Sequence, residues 1–494
     1  MATVAAIAAV AWRRGRWALT VGVMLLVAVL IHGIGPETLV DLWNPYVPVL
    51  PFLLTVLLVW DAALGRRRAL VEAAVPACFA MQCHLAFVSL VAVMAVWLWA
   101  WSRWWPRLVP ADRPAAAELP RPPWSRWWRS LRWAVLVVAV LSVGPLIDAV
   151  VDIHNPVLIA WSFGGREGRL GIVDAVGLVG RYVRPDGPWM GGPIPLYLTE
   201  VRGSGPLPVV VALGALYGCL RVARRRGLVD VVALACLAMT LVVTSIPMAA
   251  QFLHPVEQYL AEWIKVVGGL VWFTVAWTLW RLVEPAVRAV PARRVAAGAL
   301  AGAALVGMTA WTWGPATEAE PRFPTEGEAV RRLGDELAGM LPRDETIRVE
   351  RRGEPWHIFT PGLIYDLIDR GYDIQTSDGA AGLKWGHEHR WTTGEPYDRL
   401  LTVAVHDAGA WSDAVGQCLA DPDAELLALY DDLSPDERAW LEDLKLRRLE
   451  GPDAVTAEEV ARGDELEARG LRIGVFEGPR PCASDRSLAP DPDD

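Results

Sequence analysis

The sequence predicts an α-helical, multi-spanning membrane domain followed by a small α/β domain. Three observations carry that reading. The chain of 494 residues is 53% hydrophobic. Its apolar residues fall into runs long enough to cross a bilayer. Its charge also divides sharply: residues 1–314 hold 27 Lys+Arg against 16 Asp+Glu, and residues 315–494 hold 20 against 40. A basic half made of apolar runs and an acidic half of ordinary composition are two domains in two solvents.

A spanning helix needs about 20 apolar residues, within a range of roughly 17–25. Runs of that kind lie at about 17–34, 47–64, 84–101, 133–151, 206–222, 228–248, 262–281 and 294–313. With a shorter run at 70–81 they make nine apolar segments. Arg13, Arg14 and Arg16 before the first run imitate a signal peptide, but no small-x-small cleavage pattern follows, so the run is expected to stay as a span.

Basic residues gather on the cytoplasmic side of membrane proteins, and this tests the map. With a cytoplasmic N-terminus, the inner segments hold 21 of the 27 basic residues of the first half. The loop 152–205 then lies outside and holds five. The same rule divides residues 70–101 into a half-span, a turn at Gln82-Cys83-His84 and a full span. Otherwise the Arg-rich stretch 102–132 would lie outside. That stretch, with Trp101, Trp104, Trp105, Trp124, Trp127 and Trp128, reads as an interfacial belt. The expected location is a bacterial plasma membrane, with the C-terminal domain extracytoplasmic.

The loop 152–205 is long for a connection. Its stretch Leu170–Val179 has the pattern of a helix lying on the membrane surface. Beyond residue 314 the pattern alternates. Helices are expected at 325–341, 362–370 and from Ser434 to about 449, the first and last opened by capping boxes (Thr325 with Glu328, Ser434 with Glu437). Strands are expected at 346–350, 400–405 and 471–476, which makes residues 315–483 an α/β domain. Residues 484–494 are acidic, Pro-containing and expected to be disordered. Cys418 and Cys482 are the only cysteines of this domain, and an oxidising exterior would permit a disulfide between them.

Candidate chemistry starts at Glu37, Asp41 and Asn44, a polar loop running into an apolar helix through Pro45, Pro48 and Pro51. Two carboxylates there could serve as a general base and a ligand for a divalent metal ion. They could equally form a solvated loop with Asp41 near a helix N-terminus. Gln82 and His84, polar at membrane depth, could contact a substrate phosphate or fill packing roles. Asp148 sits one turn inside an apolar boundary. Arg166, Arg169, Arg181 and Arg184 in the outer loop could donate to a lipid pyrophosphate or to headgroups. Glu262 and Lys265, three apart, could pair on a helix face. No P-loop, dinucleotide fingerprint, nucleophile elbow or zinc spacing occurs. The basic excess, lying between apolar runs, is no sign of nucleic acid.

The run Asp41-Leu42-Trp43-Asn44-Pro45-Tyr46-Val47-Pro48-Val49-Leu50-Pro51-Phe52 resembles a stretch of bacterial multi-spanning membrane proteins with a GT-C-type glycosyltransferase fold. Gln82-Cys83-His84-Leu85-Ala86-Phe87 and Gly144-Pro145-Leu146-Ile147-Asp148 are similar to two further segments of that family, in the same order. The resemblance covers about residues 17–314. It implies a GT-C-like membrane domain and sugar transfer from a polyprenyl-phosphate donor to an extracytoplasmic acceptor. Asp41 or Glu37 would be the catalytic acids, and Asn44, Gln82, His84, Asp148, Arg181 and Arg184 would line the substrate site. The family's earlier span, acidic first loop and His-Pro-Gly-Pro segment have no counterpart here. The expectation is therefore a member lacking the N-terminal catalytic loop, with Asp41 forming the wall of the site. A non-catalytic scaffold of envelope assembly, or a transporter or flippase, is the alternative.

Overall fold

The computed structural model describes residues 2–35, 46–108, 124–151, 169–191, 197–198, 205–252, 256–317, 324–353, 359–377, 389, 391–392, 394–406, 413–450 and 455–482. The described residues form two compact units, residues 2–317 and residues 324–482.

The first unit is a helical bundle. Its helices are α1 (Ala2–Ile34), α2 (Val49–Ala63), α3 (Arg68–Cys83), α4 (Ala86–Leu108), α5 (Trp124–Leu141), α6 (Val143–Val151), α7 (Gly171–Val183), α8 (Leu207–Arg226), α9 (Val229–Ala249), α10 (Glu262–Ala289) and α11 (Pro291–Thr317). A two-residue strand β1 (Tyr197–Leu198) pairs antiparallel with β2 (Val256–Glu257). Among the described residues six helices are long and apolar enough to cross a membrane: α1, α4, α8, α9, α10 and α11.

The remaining apolar segments of the sequence are shorter than a span. Helix α2 has 15 residues, about 22 Å at 1.5 Å each, less than the hydrocarbon thickness. It is the centre of the bundle: every residue from Pro51 to Ala62 is buried, so protein surrounds it. Helix α3 keeps Pro76 inside it and runs to Cys83, placing the break before α4 at His84-Leu85. The stretch 133–151 is divided at Ser142, with Pro145 in the first turn of α6, where its missing N–H has no partner to lose. Helix α1 also turns, at Arg16 (φ 53°), so its regular apolar part starts at Trp17.

The surface helix expected at 170–179 is α7, and its partner is protein. Ala175, Leu178, Val179 and Tyr182 are fully buried against α9 and α10, while Ile172 and Val173 stay exposed. The 3.6-residue apolar period was legible, but it does not say whether lipid or a helix covers the face.

The second unit is a five-stranded mixed sheet, order β4-β3-β5-β7-β6. Its strands are β3 (Thr346–Arg352), β4 (Asp373–Thr376), β5 (Arg399–His406), β6 (Glu425–Asp431) and β7 (Arg472–Glu477). β4, β3 and β5 run parallel; β7 is antiparallel to both β5 and β6. Helices α12 (Pro324–Ala338) and α13 (Phe359–Asp369) pack on one face through Leu333, Leu337, Leu363 and Leu367, against Ile347, Val349, Val403 and Val475. Helix α14 (Ala414–Leu419) packs on the other, where Val415 and Cys418 meet Ala404 and Phe476. Cys418 and Cys482 are joined in a disulfide, Cα–Cα 5.2 Å. Helices α15 (Pro435–Glu450) and α16 (Ala457–Arg469) complete the unit.

Helix α12 begins at Pro324, so Thr325 stands inside its first turn. The Ser434 box is formed: Ser434 N donates to Glu437 Oε2 (2.9 Å) and Glu437 N to Ser434 Oγ (3.3 Å). A third box, Thr456 with Glu459, opens α16.

Candidate functional site

Polar groups of the helical unit collect at two ends, set by the antiparallel run of its helices. At one end Asp61, 1% exposed at the close of α2, receives Arg14 and Arg66, and Arg66 continues to Glu72 at 2.6 Å. Asp230 at the start of α9 accepts from Arg281 (2.6 Å) and from the indole of Trp277 (3.1 Å). Its carbonyl takes the indole N–H of Trp60 at 2.9 Å. Arg14, Arg66 and Arg281 each meet an acid, so this end ties α1, α2, α9 and α10 together. The ties between helices were not legible in the sequence, because Arg14 is 47 positions from Asp61 and Arg281 is 51 from Asp230.

At the opposite end α10 begins with Glu262, whose Oε2 meets Lys265 Nζ at 2.8 Å; both side chains are fully buried. Lys265 Nζ also donates to the carbonyl of Gly33 at 2.9 Å, in the last turn of α1. Glycines let three segments converge. A Cβ on Gly268 would stand 2.2 Å from Tyr182 O, and one on Gly33 would stand 2.4 Å from Trp189 O. The loop from Tyr182 to Trp189 thus presses on both α1 and α10. Trp272 Nε1 donates to Val183 O (2.8 Å), and Trp189 Nε1 to Arg184 O (2.9 Å). The Tyr182 hydroxyl is buried without a hydrogen-bond partner.

An apolar crevice of about 570 Å³ leaves this end and runs between α1, α10 and α11. Trp189, Val29 and Gly269 line its end beside the ion pair, and Trp17 and Trp280 its far end. From Trp17 to Val29 is about 18 Å along a helix. Gly22 and Gly269 keep the floor low: a Cβ on Gly269 would lie 2.7 Å from Leu26 Cδ1. Lipid-sized grooves of this kind leave no motif in a sequence.

The predicted site residues divide. Glu37, Asp41 and Asn44 lie outside the described residues. Asp148 belongs to the backbone of α6, and its side chain is outside the described set. Gln82 donates to Leu141 O at 2.8 Å, next to the interruption between α5 and α6. His84 Nδ1 accepts from Ala86 N at 3.2 Å, opening α4. Both serve the helix breaks beside them. Arg181 stands in the last turn of α7. Arg184 forks onto Asp186 at 2.9 and 2.6 Å, and its guanidinium holds that carboxyl below the usual range. Among the described residues no three His, Cys, Asp or Glu are grouped to hold a metal ion.

No family model, no curated protein and no solved structure matches the chain.

Proposed function

We propose that the chain is an integral membrane glycosyltransferase-like protein of the GT-C type, taking a sugar from a polyprenyl-phosphate donor to an extracytoplasmic acceptor. The observation that carries this reading is the crevice between α1, α10 and α11, ending beside the buried Glu262–Lys265 pair. An apolar tail fits a groove lined by Trp, Leu, Val, Ala and Gly. Its polar head would then reach the end where Lys265 holds Gly33, four residues before Glu37 in the chain. Glu37 or Asp41 would deprotonate the acceptor hydroxyl, and Arg181 would meet the phosphate. Arg184, engaged by Asp186, would first have to change partners.

The orientation is part of the proposal. The basic residues put the N-terminus in the cytoplasm. The Cys418–Cys482 disulfide favours an oxidising compartment for the C-terminal unit. Helices α2 and α3, and α5 with α6 counted as one broken segment, would complete the nine expected from the sequence, as short or broken spans shielded by their neighbours.

The test is turnover of a polyprenyl-phosphate-linked sugar by the full chain in lipid nanodiscs, with Asp41→Asn and Asp148→Asn beside it. Loss in Asp41→Asn supports the reading; unchanged turnover in both variants removes these acids from the mechanism. A flippase or scaffold uses the same crevice without chemistry. It would bind the lipid-linked sugar and release it unchanged.

A further inference from the structure

Two walls of the crevice, α1 and α10, are fastened to each other at both ends. Lys265 Nζ reaches the carbonyl of Gly33 at 2.9 Å at one end. Trp17 meets Trp280 edge to face at the other, ring centres 5.5 Å apart. Helix α10 is also buried without a break from Glu262 to Val271.

The third wall, α11, is held differently. None of its residues from Pro291 to Thr312 is buried. It lines the crevice with Ala297, Leu300, Ala301 and Ala304. In lipid no hydrophobic force presses helices together, so packing and hydrogen bonds must hold them. Three of these four side chains are methyl groups, with little surface to pack. The hydroxyls of Thr309 and Thr312 donate back into α11, to Leu305 O at 2.8 Å and Met308 O at 2.9 Å. Val290 alone joins α11 to α10, extended at φ −120° and ψ 117° before Pro291. Proline drives its predecessor out of the helical region, so the sequence sets this joint. From Val295 to Thr317 there is no charged residue, so α11 can move through hydrocarbon without carrying a charge along.

At the end away from that joint, His32 of α1 lies on Trp311 of α11, with ring centres 3.6 Å apart and planes at 37°. His32 comes about one turn after Val29, and Trp311 about two turns after Ala304, both of which line the crevice. The pair thus ties the seam between α1 and α11 just past the end of the crevice. Its α1 half is fixed, because the next residue is Gly33, whose carbonyl Lys265 holds.

We infer that α11 is a lateral gate through which a lipid tail enters the crevice from the bilayer. The gate is hinged at Val290 and latched by His32 on Trp311. The inference rests on the crevice holding an apolar tail, and not on sugar transfer.

The test uses the full chain in nanodiscs. Spin labels on p-acetylphenylalanine at Val306 of α11 and Val243 of α9, both exposed, report the distance between the helices by pulsed paramagnetic resonance. A lost ring contact is worth a factor of roughly two to ten in an opening equilibrium. Trp311→Ala and His32→Ala should enlarge a population with α11 displaced by that factor. His32→Phe keeps a ring and should return it to the parent level, which a mere loss of folding would not do. Uptake of a benzophenone-tagged undecaprenyl phosphate, read by crosslinking to the helices over time, should quicken to the same extent in both alanine variants. Distances unchanged in both alanine variants overturn the inference, as does His32→Phe behaving like His32→Ala. Uptake at the parent rate in every variant overturns the gate and leaves the tail in its crevice. No uptake by the parent or any variant removes tail and gate together.

Discussion

Lys265 donates to the carbonyl of Gly33 at 2.9 Å and holds Glu262 at 2.8 Å, all away from solvent. A buried pair is costly to form, but breaking it by removing one partner costs more, because the other charge is left alone. Lys265→Met should therefore destabilise the helical unit by about 3–5 kcal/mol. Adding Glu262→Gln to it should restore most of that loss. Thermal unfolding in detergent measures both. A double variant as unstable as the single one would mean that Lys265 matters for packing rather than for charge.

The glycines of α10 and α11 give a sharper contrast. Gly268→Ala drives a methyl to 2.2 Å from a backbone oxygen that cannot rotate away, so α7 and α10 must separate. Gly298→Ala meets nothing within 4 Å and only gains helix propensity, up to about 1 kcal/mol. Unfolding temperatures should fall for the first and hold or rise for the second. Equal effects would contradict the close approach of Tyr182 to α10.

The disulfide closes a 64-residue separation in the C-terminal unit. Chain-entropy arguments give such a closure about 4 kcal/mol. Cys418→Ser should lower stability by that order, as should a reductant on the parent chain, with no further loss when the two are combined. Additive losses would place the reductant's effect elsewhere.

Two helix caps set a pH dependence. Glu437 and Glu459 are both held down to about 2 from an ordinary 4.5, first by the backbone N–H groups of Ser434 and Thr456. A depressed carboxylate stabilises the fold above its unfolded value and loses that contribution as pH falls toward its folded one. Hydrogen exchange at the first turns of α15 and α16 should thus accelerate, relative to intrinsic rates, between about pH 4.5 and 2. Glu437→Gln should remove the pH dependence at α15 alone. An unchanged profile there would assign the effect to another carboxylate.

What the sequence revealed follows from which interactions are local. The Ser434–Glu437 box, the apolar period of α7 and the i,i+3 pair of Glu262 and Lys265 are each written within a few residues. Strands β5 and β7 were legible as buried, mostly apolar runs, and β3 by the alternation of Ile347 and Val349 with polar residues. β4 and β6 were not: Asp373–Thr376 is short and half polar, and Glu425–Asp431 begins and ends in acid. The Asp61 network and the crevice were out of reach for another reason. Arg14 and Asp61 are 47 positions apart, and Ala297 and Leu25 look like any span residue until the helices meet.

The crevice offers the most direct test of the membrane reading. Ala301 lines it from α11, opposite the Trp17–Val29 stretch of α1, so Ala301→Trp would fill the groove at its narrow, small-residue wall. Helix α11 otherwise packs sparsely: Val295, Leu300 and Val306 are 70% or more exposed, so the helix can absorb a small displacement and the variant should fold. If the groove holds an apolar tail, Ala301→Trp should reduce copurifying or added polyprenyl lipid several-fold, and with it any turnover of a lipid-linked sugar. A tryptophan at Val306, which is exposed and does not line the groove, is the control and should change neither. Lipid retention indifferent to Ala301→Trp would mean that the crevice is filled by the bilayer at large, and the donor would have to enter the bundle elsewhere.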